Sequence, residues 1–220
     1  MLVSDRIDGQ QDRDPQMESA MRSFITEQLR EAFEVSKRIL EDEALAKMTE
    51  AVAQKCVEVY KAGGKTLFAG NGGSAADAQH LAAEFVGRYS VERPSLPSIA
   101  LTTDTSMLTS IANDYGYENV FRRQIQGQGI KGDMFFGIST SGTSQNILAA
   151  LDECRKREIV TVCLTGAGDH KLAEISDYCL VVPSTSTPRI QEGHALIGHL
   201  ICAAVEAALF AHDFKTAQPS

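Results

Sequence analysis

Short apolar runs alternate with helical segments through most of this chain. Such alternation is typical of βαβ units, in which buried parallel strands read as continuous apolar runs and the crossovers are right-handed. The pattern therefore predicts an α/β domain with a doubly wound, five-stranded parallel sheet between two layers of helices. The expected strands are residues 65–70, 97–103, 133–140, 159–166 and 178–183. The helices expected between them are residues 74–89, 106–113, 144–157 and 171–176.

Further helices are expected at both ends of the sheet-forming domain, which we assign to residues 63–212. Apolar residues at helical spacing predict two helices within residues 17–62. The last helix, expected over 191–210, is apolar around most of its circumference and needs cover on nearly every side. We therefore predict that this helix and the N-terminal pair form an oligomer interface. The polar segment 1–16 is expected to be a disordered leader.

Charge and cysteine content limit the class of protein. The 220 residues include 29 Asp plus Glu but only 21 Lys plus Arg, a net charge of −8. This acidic balance argues against nucleic acid and anionic membranes as partners. No apolar run reaches the roughly 18 uncharged residues that a membrane span requires. The five cysteines include no C-x-x-C pair, as expected for reduced thiols of a cytoplasmic protein.

A loop rich in hydroxyl groups follows the third expected strand and precedes a helix. It contains Ser139, Thr140, Ser141, Gly142 and Ser144. The free N–H groups and the dipole at a helix N-terminus favour an anion, hydroxyls donate to phosphate oxygens, and glycine permits close approach of the backbone. The loop lacks the lysine of nucleoside-triphosphate-binding loops. The pattern therefore predicts a phosphomonoester site, the alternative being an ordinary serine-rich helix cap.

A glycine-rich loop follows the first expected strand. It runs Asn71-Gly72-Gly73 and fits the G-x-G-x-x-A dinucleotide pattern. That pattern also requires an acidic residue about 20 positions on, but the next strand ends near Asp104, more than 30 positions beyond Gly70. A sugar lying against the glycines is therefore favoured over a nucleotide.

Three ionisable side chains on two expected helices are candidates for catalysis or metal binding. His80 and Glu84 lie four residues apart, so they share one helix face. That spacing suits two ligands of one metal ion, or a base beside its orienting partner; the alternative is a solvated His–Glu contact. His199 stands in an apolar stretch of the last helix. It is either a hydrogen-bonded core residue or, if the last helix crosses the helix that carries His80 and Glu84, a third member of this group.

The motifs of this chain, taken together and in order, resemble those of the phosphoheptose isomerase family of the sugar-isomerase (SIS) domain superfamily, over roughly residues 17–211. The resemblance implies a flavodoxin-like three-layer fold, a homotetramer, and conversion of sedoheptulose 7-phosphate to D-glycero-D-manno-heptose 7-phosphate. That reaction is the first step towards the heptose of bacterial lipopolysaccharide. The motifs are NGGSAADAQHLAAEFVGRY, IANDYGYENVF, ISTSGTS, the LTG strand end and PRIQEGH.

The resemblance also implies roles for particular residues. The family's catalytic pair falls on Glu84 and His199, which we interpret as the base and the acid of an enediol mechanism. The family's substrate contacts fall on Asn71, Gly72, Gly73, Glu84, Asn113, Asp114, Ser139, Thr140, Ser141, Ser144 and Gln191. Where members hold zinc, one ion per active site, the ligands fall on His80, Glu84, Gln191 and His199.

Two features of the last helix bear on that assignment. Some members carry an acidic residue where this chain has Pro188, so no carboxylate is expected there. Gln191 and His199 are eight residues apart, about 12 Å along a continuous helix. They share one ion only if Gln191 lies at or before the first turn, or if the ligands come from different subunits.

Other functions of the same fold are the main alternatives. One is a non-catalytic tetrameric SIS scaffold that binds the bacterial replication initiator. Another is a phosphosugar-sensing regulator, although the chain carries no appended DNA-binding segment. Neither role requires a base and an acid, and this chain has both Glu84 and His199. The enzyme is therefore the favoured prediction.

Overall fold

The computed structural model describes residues 14–168 and 171–210 and confirms the predicted three-layer α/β fold. The helices are α1 (Pro15–Glu41), α2 (Glu43–Lys61), α3 (Gly73–Val86), α4 (Thr105–Tyr115), α5 (Val120–Gln128), α6 (Gln145–Lys156), α7 (Lys171–Ile175) and α8 (Thr187–Phe210), with a 3-10 turn at Tyr117–Asn119. The strands are β1 (Thr66–Gly70), β2 (Ser98–Ala100), β3 (Met134–Ile138), β4 (Val160–Gly166) and β5 (Tyr178–Val182).

All strand pairs in the sheet are parallel, and the strand order is β2-β1-β3-β4-β5. The chain winds in one direction from β1 to β2 and in the other from β3 to β5, so the order reverses between β1 and β3. Gly70 pairs with Ile138, so these two strands end level with each other. The loops that follow them therefore leave the sheet side by side, at the position where doubly wound sheets bind ligands.

The sheet is covered on both faces, as expected for a parallel sheet. One core lies between the sheet and α1, α2, α3 and α8, and includes Phe68 and Phe136, whose rings stack at 4.6 Å. The second core lies under α4 to α7 and includes Leu67 and Phe135, the neighbours of those two residues along their strands. Alternate residues of one strand thus serve opposite layers.

The N-terminal helix begins earlier than predicted. Asp14 caps α1 by accepting a hydrogen bond from the Gln16 N–H, and Pro15 occupies the first turn. An Asp cap followed by proline is a standard helix start. Pro15 and Gln16 therefore belong to α1 rather than to the predicted leader, and residues 1–13 lie outside the described residues. Several apolar side chains of α1 are exposed; Phe24 and Leu29, for example, are 64% and 67% exposed.

The last helix also begins earlier than expected, at Thr187 rather than at Gln191. Gln191 therefore lies in the second turn of a continuous helix. By length and composition alone α8 is apolar enough to cross a membrane, but half of its most apolar stretch is buried within the domain. That burial is the behaviour of a core helix. The predicted domain end at 211–212 lies outside the described residues.

Candidate active site

The two loops at the reversal point of the sheet are joined by a pair of amide side chains. Asn71 Nδ2 donates to Asn146 Oδ1 at 2.9 Å, and Asn146 Nδ2 donates to Asn71 Oδ1 at 2.8 Å. The hydroxyl of Tyr117 donates to the same Asn71 oxygen at 3.0 Å. This network fixes the glycine-rich loop against the start of α6. Neither Asn146 nor Tyr117 was predicted as a site residue, because the contact that joins each of them to Asn71 links positions far apart in the sequence.

The hydroxyl-rich loop forms a compact turn ahead of α6. The hydroxyls of Ser139 and Ser144 lie 2.8 Å apart, and those of Ser141 and Thr143 lie 3.0 Å apart. Gly142 has a φ of +70°, a left-handed conformation that favours glycine. Ser144 occupies the N-cap of α6, but its side chain makes no capping hydrogen bond to that helix. Its first N–H groups and the loop hydroxyls together suit a bound phosphate.

The glycine-rich loop brings α3 close to the start of α8. Gly72 occupies the N-cap of α3 with a φ of +57° and, as a glycine, has no side chain with which to cap that helix. A Cβ on Gly73 would lie only 2.2 Å from the Gln191 Nε2 atom. Glycine at this position therefore admits the Gln191 amide to the N-terminus of α3. Thr140, in the neighbouring loop, is tied to β4 because its carbonyl accepts a hydrogen bond from the Gly166 N–H at 3.2 Å.

His80, Glu84 and His199 converge where α3 crosses α8. The Nε2 atoms of the two histidines are 2.7 Å apart, and His80 Nε2 lies 3.5 Å from Glu84 Oε1. One ligand atom from each residue lies within 4.8 Å of the other two. The helices approach closely because α8 has Gly198 here, where a Cβ would lie 2.6 Å from Leu81 Cδ2. The predicted convergence of His199 with the His80–Glu84 pair is therefore present within one chain.

The donor types of this cluster fit zinc. Two imidazole nitrogens and one carboxylate oxygen, with a position left for water or substrate, form a typical catalytic zinc set. Ligand atoms about 2.05 Å from a tetrahedral ion are about 3.3 Å apart. The His80–Glu84 separation already matches that value, whereas the histidine nitrogens must move apart by about 0.6 Å from their 2.7 Å contact.

Gln191 does not join the cluster within one chain. Its amide lies against Gly73, seven residues or about 10 Å along α3 from His80. Because it also lies in the second turn of α8, the first of the two conditions for sharing an ion with His199 is not met. A shared ion then requires a Gln191 from a second copy.

The remaining predicted substrate contacts lie beyond β2. Asn113 and Asp114 are exposed near the end of α4, and Asn113 Nδ2 donates to Asp114 Oδ1 at 2.8 Å. They precede the turn that carries Tyr117, whose hydroxyl reaches the glycine-rich loop. Asn113 and Asp114 therefore lie in the same segment as Tyr117, the residue that contacts the glycine-rich loop.

Comparison with known proteins identifies the family of this chain. Residues 29–166 match the SIS domain family. A phosphoheptose isomerase from Aneurinibacillus thermoaerophilus is 56% identical over 194 residues, which cover 88% of this chain and 98% of that protein. The chain belongs to the phosphoheptose isomerase family. Phosphoheptose isomerase 2 from Campylobacter jejuni is 54% identical over 90% of this chain and 98% of its own length.

A solved phosphoheptose isomerase structure agrees with the sequence relationship. The structure from Neisseria gonorrhoeae superposes with a TM-score of 0.79 at 37% identity and covers 85% of this chain and 99% of its own. The chain is therefore a sugar-phosphate isomerase whose relatives indicate a heptose phosphate as substrate. These relatives give no support to the alternative of a non-catalytic scaffold.

Proposed function

We propose that this enzyme converts sedoheptulose 7-phosphate to D-glycero-D-manno-heptose 7-phosphate through an enediol, in the cytoplasm, as the first step of bacterial heptose synthesis. The observation that carries the proposal is the group of one carboxylate and two imidazoles on α3 and α8. Those helices begin at the sheet edge that carries the phosphate-type loop. The five unpaired cysteine thiols are consistent with a reducing compartment.

Isomerisation moves one hydrogen between the first two carbons of the sugar, C1 and C2. The Glu84 carboxylate removes a proton from C1 of the ketose, and His199 donates a proton to the oxygen on C2, which yields the enediol. Return of a proton to C2 and loss of the proton on O1 then yield the aldehyde. A carboxylate and an imidazole supply these proton transfers near neutral pH.

Binding of the phosphate orients the reacting carbons. The hydroxyls of Ser139, Thr140, Ser141 and Ser144 and the free N–H groups of α6 hold the phosphate, far from the bond that changes. This remote binding energy reduces the entropic cost of aligning C1 and C2 with the base and acid. The glycine-rich loop and Gln191 contact the part of the sugar that lies between the phosphate and the reacting carbons.

We propose zinc as the cofactor, held by His80, Glu84 and His199. When bound, the ion would polarise the sugar oxygens as a Lewis acid, and because an imidazole nitrogen that binds zinc carries no proton, the ion would act in place of the proton that His199 donates in the metal-free enzyme. The supporting observation is the donor set and its spacing. Metal analysis of the purified protein, with zinc binding followed by calorimetry, tests this assignment. A His80→Gln variant that binds zinc as tightly as the wild type would contradict it.

We further propose a homotetramer in which copies complete one another's sites. Glu84 lies eleven residues, about 16 Å, along α3 from Gly73 in the glycine-rich loop. The Asn71–Asn146 pair holds the phosphate loop beside that glycine-rich loop, so both loops of the same chain are distant from Glu84. A neighbouring copy that brings its own loop or its Gln191 to the cluster shortens that distance. Exposed apolar side chains on α1 and α8, including Leu200 at 49% exposed, offer the surface for such contacts.

A Glu84→Gln variant tests the proposed mechanism. We expect turnover of sedoheptulose 7-phosphate to be lost, because the amide cannot accept a proton, while sugar binding and oligomeric state persist, because the phosphate loop is unchanged. The matched control is Glu158→Gln, an exposed ion-pair residue at the opposite edge of the sheet. Retention of more than about a tenth of the wild-type rate, about 1.4 kcal/mol in barrier, would falsify the assignment of the base.

A further inference from the structure

A buried ion pair lies directly behind the catalytic cluster. Arg93, in the loop between α3 and β2, and Glu206, on α8, are 1% and 3% exposed at their side chains. Arg93 Nε donates to Glu206 Oε2 at 2.9 Å. Burying two charges is expensive, and a well-packed apolar pair of the same volume is often as stable. The pair is therefore better explained by the groups that it holds in place than by a gain in stability.

Glu206 fixes the segment that follows α3. Its carboxylate accepts hydrogen bonds from the N–H groups of Tyr89, Ser90 and Val91, at 2.8, 2.7 and 3.0 Å, and from the Ser90 hydroxyl at 2.9 Å. Burial alone would raise the pKa of Glu206, but the three backbone N–H groups and the Ser90 hydroxyl lower it to about 2. The carboxylate is therefore charged throughout the neutral range and holds three consecutive residues against α8.

Arg93 fixes the C-terminal end of α3. Its guanidinium donates to the carbonyl of Glu84 at 2.8 Å and to that of Phe85 at 2.9 Å. A third donation goes to the Pro94 carbonyl at 3.0 Å. The last carbonyls of a helix have no partner within it and carry its negative end, so a buried cation suits this position.

Both partners of the ion pair therefore contact groups next to the reacting side chains. Arg93 binds the backbone of Glu84 itself, and Glu206 holds Tyr89, whose ring centroid lies 5.7 Å from that of His199. The geometry points to Arg93 and Glu206 as positioning residues that set the separation of Glu84 and His199. Both side chains are buried, so the role proposed for them is to position other groups rather than to contact substrate. This role rests on the proposed function of Glu84 and His199.

A matched pair of variants separates positioning from stability. Glu206→Gln keeps the shape of the side chain but removes its charge. The control is Asp133→Asn: Asp133 is also buried, binds Lys65 Nζ at 2.6 Å and accepts from two backbone N–H groups, but it lies at the start of β3, at the far edge of the sheet. We expect both to lower the melting temperature. Only Glu206→Gln should lower kcat, by roughly 10- to 100-fold, with KM changed less than about threefold.

The outcomes distinguish this inference from the proposed function. A wild-type protein that does not turn over sedoheptulose 7-phosphate refutes the proposed function. An active wild type with equal kcat in the two variants refutes positioning. If Glu206→Gln does not fold, Arg93→Lys keeps the charge, loses the forked contacts to two carbonyls, and should show the same loss of kcat. The NMR resonances of the His199 imidazole report the position of this side chain independently of turnover. We expect them to shift in Glu206→Gln but not in Asp133→Asn. A shift in Asp133→Asn and none in Glu206→Gln would overturn the inference.

Discussion

The buried His194 makes a specific prediction about stability in acid. It lies on α8 with no exposed surface. Neither ring nitrogen has a hydrogen-bond partner within residues 14–168 and 171–210. Burial lowers the pKa of His194 to about 4, and the nearby Thr165 backbone opposes this shift only in part. The folded protein therefore keeps this imidazole neutral over a pH range in which an exposed histidine takes up a proton.

The sign and size of the effect follow from proton linkage. Between the ordinary histidine pKa of 6.5 and the folded value of about 4, the unfolded chain binds a proton at this side chain and the folded chain does not. The free energy of unfolding therefore decreases as the pH falls through this range. At about 1.4 kcal/mol per pKa unit, the total loss is on the order of 3 kcal/mol.

Urea unfolding of the wild type and a His194→Leu variant, from pH 7.5 to pH 4 at one protomer concentration, measures this loss. Leucine fills a similar volume, and the substitution removes no hydrogen bond. We therefore expect the free energies of unfolding of the variant and the wild type to differ by less than about 1.5 kcal/mol at pH 7.5. At pH 4 the variant should have gained about 3 kcal/mol relative to the wild type. Parallel stability curves across the whole range would refute the assignment of a neutral, buried imidazole.

Two further variants test the phosphate loop and the helix crossing. Replacing Ser141 and Ser144 together with alanine should raise the KM for the phosphosugar, because two hydroxyl donors are lost; an unchanged KM would place the anion elsewhere. Gly198→Ala should cost about 1–3 kcal/mol and reduce turnover, because the new Cβ would lie 2.6 Å from Leu81 Cδ2 in the packed contact of α3 and α8. Thermal unfolding and the isomerase assay measure both effects. A melting temperature of Gly198→Ala equal to that of the wild type would contradict the tight packing of α3 against α8.

The sequence was sufficient to predict the strands of this fold because buried parallel strands form continuous apolar runs. All five predicted runs contain a strand, although β2 is only three residues long. Helix α5 was not predicted. Its segment VFRRQIQGQ is rich in polar residues, and its buried face consists of few side chains, with Phe121 and Ile125 four residues apart. The start of α8 was placed too late because Pro188 was not interpreted as a residue of the first helical turn.

The candidate site was predictable where its signal is local. The two loops and the His80–Glu84 spacing can be read from neighbouring residues. The Asn71–Asn146 and Arg93–Glu206 pairs join residues 75 and 113 positions apart, so no local pattern indicates them. Convergence of His199 with His80 was predicted only on the condition that their helices cross, because crossing depends on the packing of α3 and α8 around Gly198.

The central claim is that Glu84 and His199 move a proton between two carbons of a bound heptose phosphate. Proton NMR of sedoheptulose 7-phosphate incubated with the enzyme in D2O tests it most directly. The account predicts an aldoheptose 7-phosphate that carries deuterium at C2, formed by the wild type and not by Glu84→Gln. A sugar that binds but retains its C1 protons and forms no aldose would contradict the account.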